Sequence, residues 1–148
     1  MNVNKKHMHE ALRLAEIAAS IGEVPVGAVI VKGDEIIASA YNKRETGDDA
    51  TAHAEVLAIR EACQKLGTWR LSGCDLYVTL EPCPMCAGAI VNARVDRVFF
   101  GAKDARGGAL GSVLDIRSYP LFSKPAVYSG VCEPQCKELL QNFFKKRR

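Results

Sequence analysis

Apolar positions along the chain recur with two different periods. Met8, Leu12, Ala15 and Ala19 come at helical spacing and predict an opening amphipathic helix that ends near Gly22. Val26 to Val31 is an unbroken apolar run, the pattern of a strand covered on both faces. Lys32-Gly33-Asp34-Glu35 then turns the chain into a second strand, Ile36 to Tyr41. The polar stretch from Asn42 to Thr51 reads as a loop, and a helix follows from about His53 to Leu66, closed by Gly67. Asp75 to Leu80 is a third strand, Pro84 to Asn92 a helix, and Val95 to Phe100 a fourth strand. The glycine-rich segment Gly101 to Ser112 reads as a mobile loop. Ala126 to Ser129 is a short last strand, and Glu133 to Phe144 a last helix whose apolar stripe is Cys136, Leu139, Leu140 and Phe143, with Phe144 at its edge.

Strands alternating with helices predict an α/β fold, a mixed central sheet of about five strands with helices on both faces, in a single domain spanning residues 1–148. No apolar run approaches the roughly 20 residues that span a bilayer. Met1 to His7 lacks the apolar stretch of a secretory signal, so the expectation is a cytoplasmic protein with no membrane partner. In that compartment six cysteines point to metal binding or chemistry before disulfides. No GxxxxGK pattern occurs, which argues against a nucleoside triphosphate site.

Net charge is +3, and its placement matters more than its size. Lys145, Lys146, Arg147 and Arg148 close the chain, and the remainder sets 16 basic residues against 17 acidic ones. Such a patch suits a polyanion. It equally suits a solvated helix end, where cations favour the C-terminal dipole, and charge alone favours this plainer reading.

The most specific signal is Pro82-Cys83-Pro84-Met85-Cys86 at a helix start. Residues three apart on one helical face have Cβ atoms about 5–6 Å apart, so Cys83 and Cys86 can grip one ion. Pro84 fits the first turn, where a missing N–H costs nothing. By itself CxxC also fits a redox pair or half of a four-cysteine zinc site, but no second CxxC exists. His53-Ala54-Glu55 instead opens an earlier helix, and two helix starts at the carboxyl ends of strands can meet over one cleft. His53, Cys83 and Cys86 give three protein ligands, the number of a catalytic zinc site. Glu55 is the candidate base: beyond a helix start, both its side chain and that of His53 can reach the same point. Cys132 and Cys136, four apart near the last helix, have no histidine near them in sequence and read as buried thiols; Cys63 and Cys74 carry no signal. A histidine, a glutamate two residues on and a later Pro-Cys-x-x-Cys is the pattern of zinc nucleobase deaminases, a family that is itself the standard example of that pattern.

The chain further resembles the bacterial tRNA-specific adenosine deaminases, which convert the wobble adenosine to inosine. The resemblance rests on Glu23-Val24-Pro25-Val26-Gly27-Ala28, Thr51-Ala52-His53-Ala54-Glu55, Thr79 to Ala89, Phe100 to Asp104, Gly111-Ser112 and Asn142 to Lys145. It implies a three-layer αβα cytidine-deaminase-like fold, a homodimer, a Zn²⁺ in each subunit and a tRNA anticodon stem-loop as partner. It further implies that Asn42, Val24, Ala54 and Pro82 bind the target nucleotide, and that Asp104 and Phe144 hold its neighbours. Ala50 stands where family members often have proline, and Ile116 to Phe122 departs from the family's usual loop, so no RNA contact is assigned there. Two rivals stay open: a deaminase of a free base or nucleotide such as guanine or cytosine, and a zinc-stabilised RNA-binding module without catalysis. Glu55 argues against the second, because binding alone has no use for an acid beside an open metal position.

Overall fold

The computed structural model describes residues 3–147. In chain order the elements are α1 (Lys5–Ser20), β1 (Gly27–Lys32), β2 (Glu35–Tyr41), α2 (Ala54–Leu66), β3 (Cys74–Leu80), α3 (Pro84–Asn92), β4 (Arg97–Ala102), β5 (Ala126–Tyr128) and α4 (Glu133–Lys146), with one 3₁₀ turn at Ile116–Ser118. The strands form one sheet in the order β2-β1-β3-β4-β5. β1 runs antiparallel to both β2 and β3, while β3, β4 and β5 are parallel, so the sheet is mixed as predicted.

The layers follow from strand periodicity, which sends alternate side chains to opposite faces. Ala28, Ile30, Leu76, Val78, Val98 and Phe100 point to one face and pack with Ala58, Ile59 and Ala62 of α2 and Ala87 and Ile90 of α3. Val29, Val31, Tyr77 and Phe99 point to the other, where Met8, Ala11 and Leu14 of α1 and Cys136 of α4 cover them. α1 lies so close to β1 that a Cβ on Gly27 would collide with the Ala11 carbonyl, so only glycine fits at the start of that strand.

Three expectations need correction. The buried face of α1 is His7, Met8, Ala11, Leu14, Ala15 and Ala18, so Leu12 and Ala19 sit at its half-buried edge. The fourth strand begins two residues later than predicted and runs through Gly101 and Ala102, since Ala102 pairs with Leu80; Val95 is buried beneath the turn that precedes it. The stretch predicted to be mobile is therefore partly strand, and the rest is tied down by the buried carboxylate of Glu81.

Register places the site. Tyr41 pairs with Gly27 and Val78 with Ala28, so the carboxyl ends of β2, β3 and β4 share one end of the sheet. α2 and α3 both start there. No helix among the described residues is long and apolar enough to cross a membrane.

Candidate active site

His53 is the N-cap of α2 and Cys83 the N-cap of α3; both have extended backbones and neither side chain makes a capping hydrogen bond. An N-cap residue stands half outside its helix, so each side chain is free to turn toward the other element. His53 Nδ1 lies 3.6 Å from Cys83 Sγ and 3.5 Å from Cys86 Sγ. All three donor atoms lie within 4.8 Å of one another, and among the described residues no fourth histidine, cysteine or acid joins them. Zinc bonds of about 2.3 Å to sulfur and 2.0–2.1 Å to nitrogen at a tetrahedral angle put those two ligands roughly 3.6 Å apart. The donor set fits zinc in chemistry and spacing.

Glu55 sits in the first turn of α2 and is 4% exposed. Its side chain is a helix-start acid favoured by the dipole, but burial dominates. Burial pushes its carboxyl up to about 7, with the Cys83 charge adding to the rise and its own amide and His53 opposing it. Cys83 is lowered to about 4, first by a hydrogen bond from Cys86 working against burial, then by His53. Cys86 keeps the shared proton, pushed up by that bond and by burial. His53 is raised, chiefly by its hydrogen bond to Cys83. The pair thus favours the thiolate form at one sulfur, the form in which a cysteine binds a metal.

Above these groups opens a cavity of about 220 Å³ lined by Val24, Val26, Asn42, Arg44, His53, Ala54, Glu55, Leu80, Glu81, Cys83 and Asp104. Seven of the ten predicted site residues line it together: Val24, Asn42, His53, Ala54, Glu55, Cys83 and Asp104. Cys86 lies beneath, buried, and Pro82 is buried beside the cavity, its carbonyl accepting from Ala109 N–H at 2.9 Å. Asn42 donates from Nδ2 to the Val24 carbonyl at 3.2 Å and accepts at Oδ1 from Arg44 N–H at 3.1 Å, which locks its orientation. Phe144 is not in this cavity. It is 49% exposed and lines an adjoining groove of about 1090 Å³ that shares Val24, Leu80 and Asp104 with the cavity and is edged by Lys103, Arg106, Lys145 and Arg147. Arg148 lies outside the described residues.

Sequence reasoning missed the two acids that shape the cavity's rims. Glu23, 1% exposed, accepts from the N–H groups of Glu45 at 3.1 Å and Thr46 at 2.6 Å; burial would raise it, but these bonds and the Arg44 charge hold it below the usual carboxylate range. Glu81 does the same for the loop after β4, where bonds from Ser112, Asp104 and Leu110 outweigh burial and lower it. Both were visible as acids inside apolar runs, but nothing in their spacing named their partners. Among the described residues no other cluster could hold an ion, and Cys132 and Cys136 are free thiols, the latter buried.

The family model of the MafB19-like deaminases matches residues 2–148. The tRNA-specific adenosine deaminase of Bacillus subtilis (strain 168) is 51% identical over 149 residues, covering 100% of this chain and 92% of its own. That of Aquifex aeolicus (strain VF5) is 49% identical, covering 93% of this chain and 91% of its own. A solved tRNA:A34 deaminase, studied for A-to-I editing at the wobble position, superposes with a TM-score of 0.88 at 46% identity, covering 93% of this chain and 100% of its own. The guanine deaminase of Bacillus subtilis superposes less fully, with a TM-score of 0.65 at 48% identity over 70% of this chain and 66% of its own. The αβα layering, the His53–Cys83–Cys86 cluster beside Glu55 and full-length identity near one half agree: the chain belongs to the MafB19-like deaminases, in the family of the tRNA-specific adenosine deaminases.

Proposed function

We infer that this protein deaminates the wobble adenosine of a tRNA anticodon to inosine. The observation that carries the reading is a buried acid beside a three-donor metal cluster, in a chain that is about half identical, end to end, to tRNA-specific adenosine deaminases.

His53, Cys83 and Cys86 would hold Zn²⁺, which supplies a water molecule acidified for attack on C6 of adenine. Glu55 takes the first proton of that water and passes it to the ring nitrogen, then moves the second to the exocyclic amine, which leaves as ammonia as the C6 carbonyl of inosine forms. Burial moves this carboxyl upward, toward neutral pH, which is the direction that suits a group that must both accept and return a proton. Asn42 and the Ala54 backbone face the base, Val24 walls it, and Pro82 fixes the chain that carries the ligands. The target base must leave its stack, which costs least in a single-stranded loop. Asp104 and Phe144, in the groove that continues from the cavity, would hold the flanking nucleotides. We extend the same reading to a homodimer acting in the cytoplasm; light scattering of the zinc-loaded protein tests the dimer.

The second reading is a free-base deaminase, favoured by the guanine deaminase likeness. That likeness stops at 70% of this chain, whereas the tRNA deaminase likeness covers 93% of it. Purified zinc-loaded protein should form inosine in an anticodon stem-loop carrying adenosine at the wobble position, and leave free guanine and cytosine unchanged. Turnover of guanine with none of the stem-loop would move the protein to the second reading.

A further inference from the structure

One buried carboxylate organises the whole loop that follows β4. Glu81 stands between Leu80, the last residue of β3, and Pro82-Cys83, and is 2% exposed. Its Oε1 accepts from Asp104 N–H at 3.0 Å and from the Ser112 hydroxyl; its Oε2 accepts from Leu110 N–H at 3.0 Å and Ser112 N–H at 3.1 Å. Backbone bonds extend the tie on both sides: Glu81 N–H donates to the Ala102 carbonyl and Ala109 N–H to that of Pro82, each at 2.9 Å. Gly108 closes over the carboxylate so tightly that a Cβ there would collide with it. Among the described residues no lysine, arginine or histidine forms an ion pair with Glu81. Its charge is met by backbone and hydroxyl donors of one loop.

That loop is the mouth of the cavity. Asp104 lines both cavity and groove, and its own Oδ1 accepts from Arg106 N–H at 3.0 Å and Gly107 N–H at 3.2 Å, folding the segment into a turn. The turn is a local unit, and it is Glu81 that fastens it to the segment bearing Cys83. A buried charge bonded to several donors tolerates little displacement, because each broken bond leaves the carboxylate less compensated.

We propose that Glu81 is a positioning residue that pre-forms the substrate mouth. It holds residues 104–112 against the metal-bearing segment, and it acts on substrate binding through that loop, not on the proton transfers at Glu55. This rests on the protein being a tRNA deaminase.

Two variants disturb the tie from opposite sides. E81Q keeps the size but turns an amide N–H₂ toward backbone donors. G108A leaves the carboxylate and every ligand intact and crowds the tie with one methyl group. Each zinc-loaded variant is compared with the wild type for zinc content, amide exchange over residues 104–112, and kcat and KM on the anticodon stem-loop. We expect zinc content unchanged, exchange over 104–112 faster by at least about tenfold, KM raised about tenfold, and kcat within about twofold, the scale of losing a bond to a charged group. S112A, which removes one of the four donors, should fall between.

Unchanged exchange in both variants overturns the proposal. So does a fall in kcat with KM unmoved, which would place Glu81 in the chemistry. Should E81Q lose zinc or fail to fold, G108A decides, since it alters neither Glu81 nor the ligands. If the wild type does not act on the stem-loop, the tRNA reading fails instead, and exchange over 104–112 still decides whether Glu81 orders the mouth.

Discussion

Glu55 is an acid kept where water does not reach it, and its protein bears a cost for that. In the unfolded chain its carboxyl titrates at its ordinary value, near 4.5, and in the folded metal-free protein at about 7. Between those values the folded state binds more protons than the unfolded one, so stability from this group falls as pH rises from about 4.5 to 7 and stays lost above. Replacing it with glutamine removes the buried charge. The chelated Glu55→Gln protein should therefore match the chelated wild type at pH 4.5 and exceed it at pH 8 by on the order of a few kcal/mol, read from urea midpoints. The zinc-loaded variant should keep its metal and lose at least about 100-fold in turnover. A variant no more stable at pH 8 would show that Glu55 carries no such burden. Glu55 was legible by its spacing, two residues after His53 and upstream of Pro82-Cys83-Pro84-Met85-Cys86, since an acid alone in a first turn is an ordinary residue favoured by the dipole. Glu81 was not legible for a physical reason: its partners are mainly backbone N–H groups, which every residue but proline has, and they lie 23 to 31 residues away.

At the scale of elements, both site helices forgo the usual cap. α2 and α3 begin on His53 and Cys83, whose side chains make no capping bond, while Pro84 occupies the first turn of α3. Serine is among the best N-caps, so Cys83→Ser offers α3 a hydroxyl for its exposed N–H groups while removing a soft ligand. The variant should bind well under one zinc per chain by metal analysis, and its chelated form should be no less stable than the chelated wild type. Full zinc occupancy would remove Cys83 from the ligand set. The start of α3 was readable from Pro84 in its first turn, and the end of α2 from Gly67, which has φ 67°. The start of β4 and the face of α1 were less readable. Val95 is apolar and buried, yet it packs under the turn after α3 without pairing in the strand. Alanines make up half of the inner face of α1, and alanine suits both sides of a helix, so the stripe's centre could not be fixed by residue type.

Across the whole molecule, the basic end of the chain and the metal cluster belong to opposite layers, yet they converge on one groove. α4 lies on the sheet face opposite α2 and α3, but its last turn reaches round to the site end. Arg147 donates from Nη2 to the Gly22 carbonyl at 2.6 Å and lies over the Phe143 ring at 4.6 Å, which braces the end of α4 beside the segment carrying Glu23 and Val24. Phe144, Lys145 and Arg147 consequently share a groove with Asp104. A solvated helix end, the reading that charge alone favoured, has no need of that brace. The two are separable by salt. Lys145→Gln with Lys146→Gln removes two charges and leaves Arg147 in place, so the groove keeps its shape. If the lysines meet phosphates, stem-loop affinity falls, and the slope of log affinity against log salt flattens by up to about 1.4, roughly 0.7 for each phosphate no longer neutralised on a single strand. Phe144→Ala acts differently: loss of a stacked base should weaken binding about 5- to 150-fold, as expected for ~1–3 kcal/mol, with the salt slope unchanged. Equal slopes for the lysine variant and the wild type would return both lysines to solvent, and leave the groove to Phe144 and Asp104.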